Sequence, residues 1–97
     1  MKAQSTYDII IIGSGSAGAI LATRLSENPN RSVLLLEAGP DFPTLDALPD
    51  DVKYGFSTSS GLVSLSRDWG YSSQFTPESI VNPIPRGRLI GGSSSVN

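Results

Sequence analysis

Six residues, Gly13-Ser14-Gly15-Ser16-Ala17-Gly18, stand where one hydrophobic pattern stops and another starts, and that position narrows the possible folds sharply. Before them, Tyr7 to Ile12 is a short β-branched run with almost no polar member, which predicts a strand buried on both faces of a parallel sheet. After them, from Ser16 to about Glu27, Ala17, Leu21 and Leu25 recur at spacings of four, with Gly18 and Ala22 forming a small-residue face beside them. That is a helix able to approach a sheet closely. Asn28-Pro29-Asn30 stops it, since proline cannot continue a helix, and Val33 to Leu36 supplies a second apolar run that ends in Glu37-Ala38-Gly39-Pro40. Strand, helix and strand over residues 7–37 make one βαβ unit of about 30 residues, so the fold class is α/β.

In that setting the six residues fit G-x-G-x-x-G, and each glycine serves a different purpose. Gly13 makes the tight turn, Gly15 lets a pyrophosphate approach the backbone, and Gly18 lets helix and strand pack closely. The phosphates then lie at a helix N-terminus, where unpaired N–H groups and the positive end of the helix dipole hold an anion. No basic side chain is needed, and none occurs between Asp8 and Leu21. Gly13, Ser14, Gly15, Ser16, Ala17 and Gly18 are therefore candidate cofactor-binding residues. Glu37 follows Gly18 by 19 residues, at the end of the second strand, where its carboxylate can accept hydrogen bonds from a ribose diol and repel a 2′-phosphate. Ala38 stands beside it as a further candidate. A structural turn in another α/β protein, or an NAD-binding module, would satisfy this first motif as well.

Composition removes other functions. The chain has 97 residues without cysteine or histidine, which excludes a zinc finger, a disulfide framework, and a Ser-His-Asp or Cys-His site built from this chain alone. Seven basic and nine acidic side chains give a net charge of −2, scattered rather than clustered, which argues against nucleic acid and anionic membrane as partners. The longest strictly apolar run, Ile9 to Ile12, is far below the roughly 20 residues of a membrane helix, and no export signal is legible near Met1. The expected location is cytoplasmic.

Between residues 39 and 86 no period of 2 or 3.6 persists, and prolines and serines punctuate the stretch. Irregular segments beyond about 12 to 15 residues are uncommon in compact domains, and a two-stranded sheet with one helix cannot cover its own apolar faces. The chain is therefore expected not to be an autonomous domain but to be completed by sequence outside it. Residues 86–97 follow as a second glycine block, Arg86-Gly87-Arg88-Leu89-Ile90-Gly91-Gly92-Ser93-Ser94-Ser95-Val96-Asn97. Gly91-Gly92 lets the backbone turn with positive φ near a ligand, and successive N–H groups and hydroxyls can line a polar cofactor edge. Taken alone, the same block could be a flexible serine-rich linker.

Gly13-x-Gly15-x-x-Gly18, Glu37-Ala38-Gly39, Asp68-Trp69-x-Tyr71 and Arg86-Gly87-Arg88-x-Ile90-Gly91-Gly92-Ser93-Ser94-x-Val96-Asn97 together closely resemble the glucose-methanol-choline oxidoreductase family, in its order and approximate spacing and over almost the whole chain. The resemblance implies the N-terminal βαβ part of a Rossmann-like FAD-binding domain. It implies FAD, with its pyrophosphate at Gly13 to Gly18 and its adenosine ribose on Glu37. It further implies a flavin-side role for Gly91, Gly92, Ser93, Val96 and Asn97, and a phosphate- or loop-supporting role for Arg88. Some relatives resembling choline oxidase carry a histidine just before the Asn of this block and bind flavin covalently through it; Val96 stands there in this chain, so a non-covalent FAD is expected. Trp69 and Tyr71 match the family's aromatic pair and are read as packing the loop onto the cofactor domain, with direct contact to substrate or flavin as the alternative. The function implied is oxidation of the CH–OH group of a small alcohol by hydride transfer to flavin N5. The catalytic histidine and the substrate domain are expected in the remainder of the enzyme, a second, larger chain, so no catalytic residue is assigned here. A hydroxynitrile lyase that holds FAD without net redox, and an NAD-binding module of another family, are the alternatives.

Overall fold

The two apolar runs pair as the βαβ pattern requires. The structure, a computed structural model, describes residues 6–54 and 67–96. Strand β1 (Ile9–Ile12) lies parallel to β2 (Val33–Leu36), in register from Ile9 opposite Val33 to Ile12 opposite Leu36. Helix α1 (Ser16–Leu25) crosses between them. It ends slightly earlier than the periodicity predicts, because Ser26 N–H closes the last turn on the Ala22 carbonyl and Asn28-Pro29-Asn30 then turns the chain back. At the far end of the pair, Asp8 Oδ2 accepts from both Ser32 N–H and Ser32 Oγ at 2.8 Å, which fixes where β2 begins.

Gly18 is the residue that lets α1 sit on β1. A Cβ there would overlap the Gly13 carbonyl oxygen, stand 3.0 Å from its carbon and press on Ile11 Cγ2 at 3.4 Å. Ile11 is correspondingly buried beneath the helix, whereas Ile12 is 86% exposed and Ile10 also faces outward. The expected burial of β1 on both faces is thus met on one face only among the described residues.

The stretch that shows no period contains short elements held by local hydrogen bonds. Thr44 Oγ1 caps a single 3-10 turn at Leu45–Ala47, α2 (Asp50–Lys53) follows, and β3 (Tyr71–Ser73) pairs antiparallel with β4 (Asn82–Ile84). An isolated bridge between Asp68 and Gly87 extends this hairpin toward the second glycine block. Residues of three or four per element leave too few repeats for a pattern to be read. The block itself anchors through Leu89, 1% exposed, with Ile90 N–H donating to the Pro40 carbonyl at 3.1 Å, and ends in a 3-10 turn at Gly92–Ser95.

Candidate functional site

Past Ile12 the chain must reverse to enter α1, and Gly13 does so at φ +90°, a conformation that side-chain-bearing residues rarely adopt. Gly15, the residue preceding α1, has φ −67° and ψ −169°, ordinary extended backbone. Its lack of a side chain answers to space instead. Among the described residues a Cβ at Gly15 would meet only Gly92 Cα, at 4.0 Å, and would project into a cavity that Gly15 lines. The helix start carries no acidic residue in its first turn and no side-chain cap, while Arg24 sits in its last turn, so the charge arrangement leaves the positive helix end open for an anion.

Glu37 is bound to this loop. Its Oε2 accepts from Ser14 N–H at 2.9 Å and Ser14 Oγ at 2.7 Å, and its Oε1 accepts from Gly39 N–H at 2.9 Å. The Ser14 N–H bond is the main cause holding the Glu37 carboxyl below its ordinary value; partial burial opposes it, and Gly39 N–H, the Ser14 hydroxyl and the Ala38 amide add smaller pulls in the same direction. Ser14 is 2% exposed and also accepts, at its carbonyl, from Gly91 N–H at 3.1 Å. One buried serine thereby links the first glycine loop, the acid and the second glycine block.

The two blocks touch elsewhere too. Gly91 and Gly92 both hold positive φ, and a Cβ on Gly92 would stand 2.9 Å from Gly15 Cα. The hydroxyls of Ser16 and Ser94, 78 residues apart in sequence, share a 2.8 Å hydrogen bond. Together they bound a cavity of about 570 Å³, at the C-terminal ends of β1 and β2. Cavities of roughly 300–1,000 Å³ in that position suit small molecules and cofactors.

Of the residues singled out from sequence, Gly13, Gly15, Glu37, Ala38, Gly92 and Ser93 line the cavity. Ser14 and Gly18 are buried behind it, and Ser16 and Ala17 are exposed on the first turn of α1. Gly91 supplies the turn into the block, and Val96 packs toward Gly87, where a Cβ would lie 2.9 Å from its Cγ2. Arg88 is not in the cavity wall; its N–H donates to the Arg67 carbonyl at 2.7 Å and its guanidinium lies 5.8 Å from the Trp69 ring centroid. Asn97 lies outside the described residues.

Arg86 and Gly87 also line the cavity and carry no individual signal in the sequence beyond their place in the block. Trp69 and Tyr71 form another wall. They are 45% and 56% exposed, with near-parallel rings 6.2 Å apart, so they stack on each other rather than being buried as packing residues. Gly70 between them turns with φ +72°, so a turn rather than strand alternation brings the two rings together. An uncapped helix start, a backbone bare of Cβ atoms and a carboxylate at the end of β2 fit the pyrophosphate and ribose of a dinucleotide such as FAD.

Residues 11–64 match the NAD(P)-binding Rossmann-like domain. The chain is 42% identical to the alcohol dehydrogenase (acceptor) of Pseudomonas putida over 96 residues, 94% of this chain and 16% of that protein. It is 41% identical over 95 residues to the mitochondrial choline dehydrogenase of Mus musculus, covering 94% of this chain and 16% of the relative. Among solved structures, a formate oxidase of Aspergillus oryzae, studied for the effect of a mutation on FAD modification, superposes with a TM-score of 0.72 at 34% identity, over 100% of this chain and 17% of that one. The chain thus spans about one sixth of the length of the relatives it matches. It corresponds to an N-terminal part of their fold, which accounts for the open face of β1 at Ile10 and Ile12.

Proposed function

Because the chain belongs to the glucose-methanol-choline oxidoreductases, we propose that it is the FAD-holding segment of an enzyme that oxidises the CH–OH group of a small alcohol. The observation that carries this reading is the contact between the two glycine blocks around the cavity, with Gly15 and Gly92 backbone against backbone and Glu37 tied to Ser14. A general Rossmann module accounts for the first block alone; the second block would have no purpose in it. FAD, when bound, supplies an acceptor at flavin N5 for the hydride of the substrate carbinol.

The chain's own residues bind and orient. The N–H groups at the start of α1 hold the pyrophosphate, Gly13 and Gly15 keep the approach clear, and Glu37 accepts from the adenosine ribose. Gly91, Gly92 and Ser93 bound the flavin side, and Arg88 supports the loop against Trp69; Asn97 stays a flavin contact read from the sequence motif alone. With Val96 at the position beside Asn97, the flavin is held without a covalent bond. Residues 7–37 form the βαβ unit, 39–86 the connecting region and 86–97 the flavin-side block of one FAD-binding domain. The catalytic base and the substrate pocket belong to the remainder of the enzyme. From sequence that remainder is expected as a second, larger chain, whereas in the relatives the matching region is a stretch of one longer polypeptide. No helix among the described residues is long and apolar enough to cross a membrane, and a cytoplasmic location is part of the proposal.

The test is anaerobic addition of small alcohols to the full-length, FAD-loaded protein. Bleaching of the flavin absorbance by at least one of them is the expected result. A flavin that no alcohol bleaches, in a protein that cleaves cyanohydrins, overturns the oxidoreductase reading in favour of a lyase.

A further inference from the structure

We infer that Asp68 is a positioning residue whose carboxylate holds the Trp69-Gly70-Tyr71 turn so that both rings stand in the cavity wall. This role rests on the reading that the cavity holds FAD. An aromatic pair 45% and 56% exposed has little packing to fix it, so its place must come from the backbone that carries it. That backbone turns at Gly70 with φ +72°, where a Cβ would meet no atom within 4 Å. The left-handed conformation therefore sets the direction of the chain and does not relieve crowding.

Both oxygens of the Asp68 carboxylate are engaged on this turn. Oδ2 accepts from Gly70 N–H at 2.9 Å, closing the turn between the rings, and Oδ1 accepts from Arg86 N–H at 2.7 Å, beside the bridge between Asp68 and Gly87. Trp69 N–H donates back to the Arg86 carbonyl at 3.0 Å. Arg86 and Gly87 line the cavity together with Trp69 and Tyr71, so one side chain ties the aromatic pair to the neighbouring part of the same wall. The preceding residue is anchored as well: the Arg67 carbonyl accepts from Arg88 N–H at 2.7 Å, and the Arg67 guanidinium pairs with Asp51 of α2. A wall fixed in this way presents flat ring surface to a planar ligand without the cost of ordering two exposed side chains on binding. Charge works in the opposite direction from geometry. A carboxylate beside the cavity repels the pyrophosphate of FAD, so removing the charge alone would strengthen binding. Weaker binding on its removal therefore reports positioning.

The experiment is a double-mutant cycle on full-length apoprotein, with FAD affinity read by quenching of flavin fluorescence and stability by denaturant unfolding. Asp68→Ala weakens FAD binding about 3- to 10-fold, the range for a lost aromatic contact. In a Trp69→Ala/Tyr71→Ala background, which already lacks the rings, the same substitution changes affinity by less than about twofold. Asp68→Asn removes the charge and leaves one acceptor oxygen for two N–H groups; it also weakens binding only while the rings are present, and it takes the place of Asp68→Ala in the cycle if that variant does not fold. A loss that adds in full in the ringless background belongs to a residue that supports the loop in general, and overturns the inference. FAD binding by Asp68→Asn that equals or exceeds that of the native protein also overturns it, with the FAD reading intact. Failure of the native protein to bind FAD overturns the parent reading before any substitution is made.

Discussion

Replacing Gly15 and Gly18 separately by alanine asks whether the two glycines serve the ligand and the fold respectively. At Gly18 a Cβ overlaps the Gly13 carbonyl oxygen and lies 3.0 Å from the carbon, where carbon atoms prefer about 3.5–4.0 Å. Helix α1 must move off β1, and overpacking of this kind costs about 1–3 kcal/mol or more. At Gly15 the new methyl meets only Gly92 Cα at 4.0 Å among the described residues, and φ −67° suits any residue. Alanine there reduces the freedom of the unfolded chain, worth about 0.4–1 kcal/mol. It is also a poorer residue before a helix than glycine, by a comparable amount. The two effects roughly offset, so the apoprotein of Gly15→Ala keeps its stability within about 1 kcal/mol. The methyl nevertheless occupies the cavity at the start of α1 and separates a pyrophosphate from the helix amides. Losing one such charge-assisted hydrogen bond weakens binding about 10- to 100-fold. Denaturant unfolding of the full-length apoprotein and FAD titration of each variant read the two quantities separately. Gly15→Ala binding FAD within about twofold of the native protein, or Gly18→Ala unfolding at the native denaturant concentration, would refute this division of roles.

Glu37→Gln leaves one carboxamide oxygen where two carboxylate oxygens accept from Ser14 and Gly39, removes the charge, and is expected to weaken FAD retention, measured by flavin released on gel filtration. Because the folded Glu37 carboxyl titrates below its ordinary value of 4.5, its contribution to apoprotein stability is full above that pH and is lost as pH falls through the lower folded value. The stability gap between the native protein and Glu37→Gln should therefore be constant near neutrality and close in acid; a gap that widens in acid contradicts the assignment. Trp69→Ala removes a wall residue that is 45% exposed, so FAD affinity should fall while the unfolding midpoint changes little. Acid precipitation of the loaded protein should leave the flavin in the supernatant, as Val96 implies, and a flavin that pellets with the polypeptide counts against a non-covalent link.

The βαβ unit was legible because its signals are local and repeated: four successive isoleucines, a helix with apolar residues every fourth position, and glycines at the junction. The position of Glu37 was legible for the same reason, as a fixed spacing from Gly18. What the sequence hid is long-range. Ser14 occupies an unspecified position of the glycine motif, and nothing local shows that its amide, hydroxyl and carbonyl join Glu37 and Gly91. The hairpin of β3 and β4 was hidden by its length, three residues a strand with Pro83 in the second. For Trp69 and Tyr71 packing was preferred to ligand contact because large aromatics usually supply buried area; their place in the wall of a cavity depends on residues 86–96 docking on the first loop, which no local pattern shows. The helix end at Leu25 shows the usual limit of periodicity, since the polar Ser26 and Glu27 extend the pattern without packing on β1.

Whether these residues hold FAD is read by reconstitution of the full-length apoprotein with FAD, FMN and NAD under identical conditions. Retained flavin absorbance after gel filtration with FAD, and far weaker retention of FMN, which lacks the adenosine proposed to lie on Glu37, is the predicted result. A protein that stays colourless with FAD, or that retains NAD in its place, is not an FAD-holding segment.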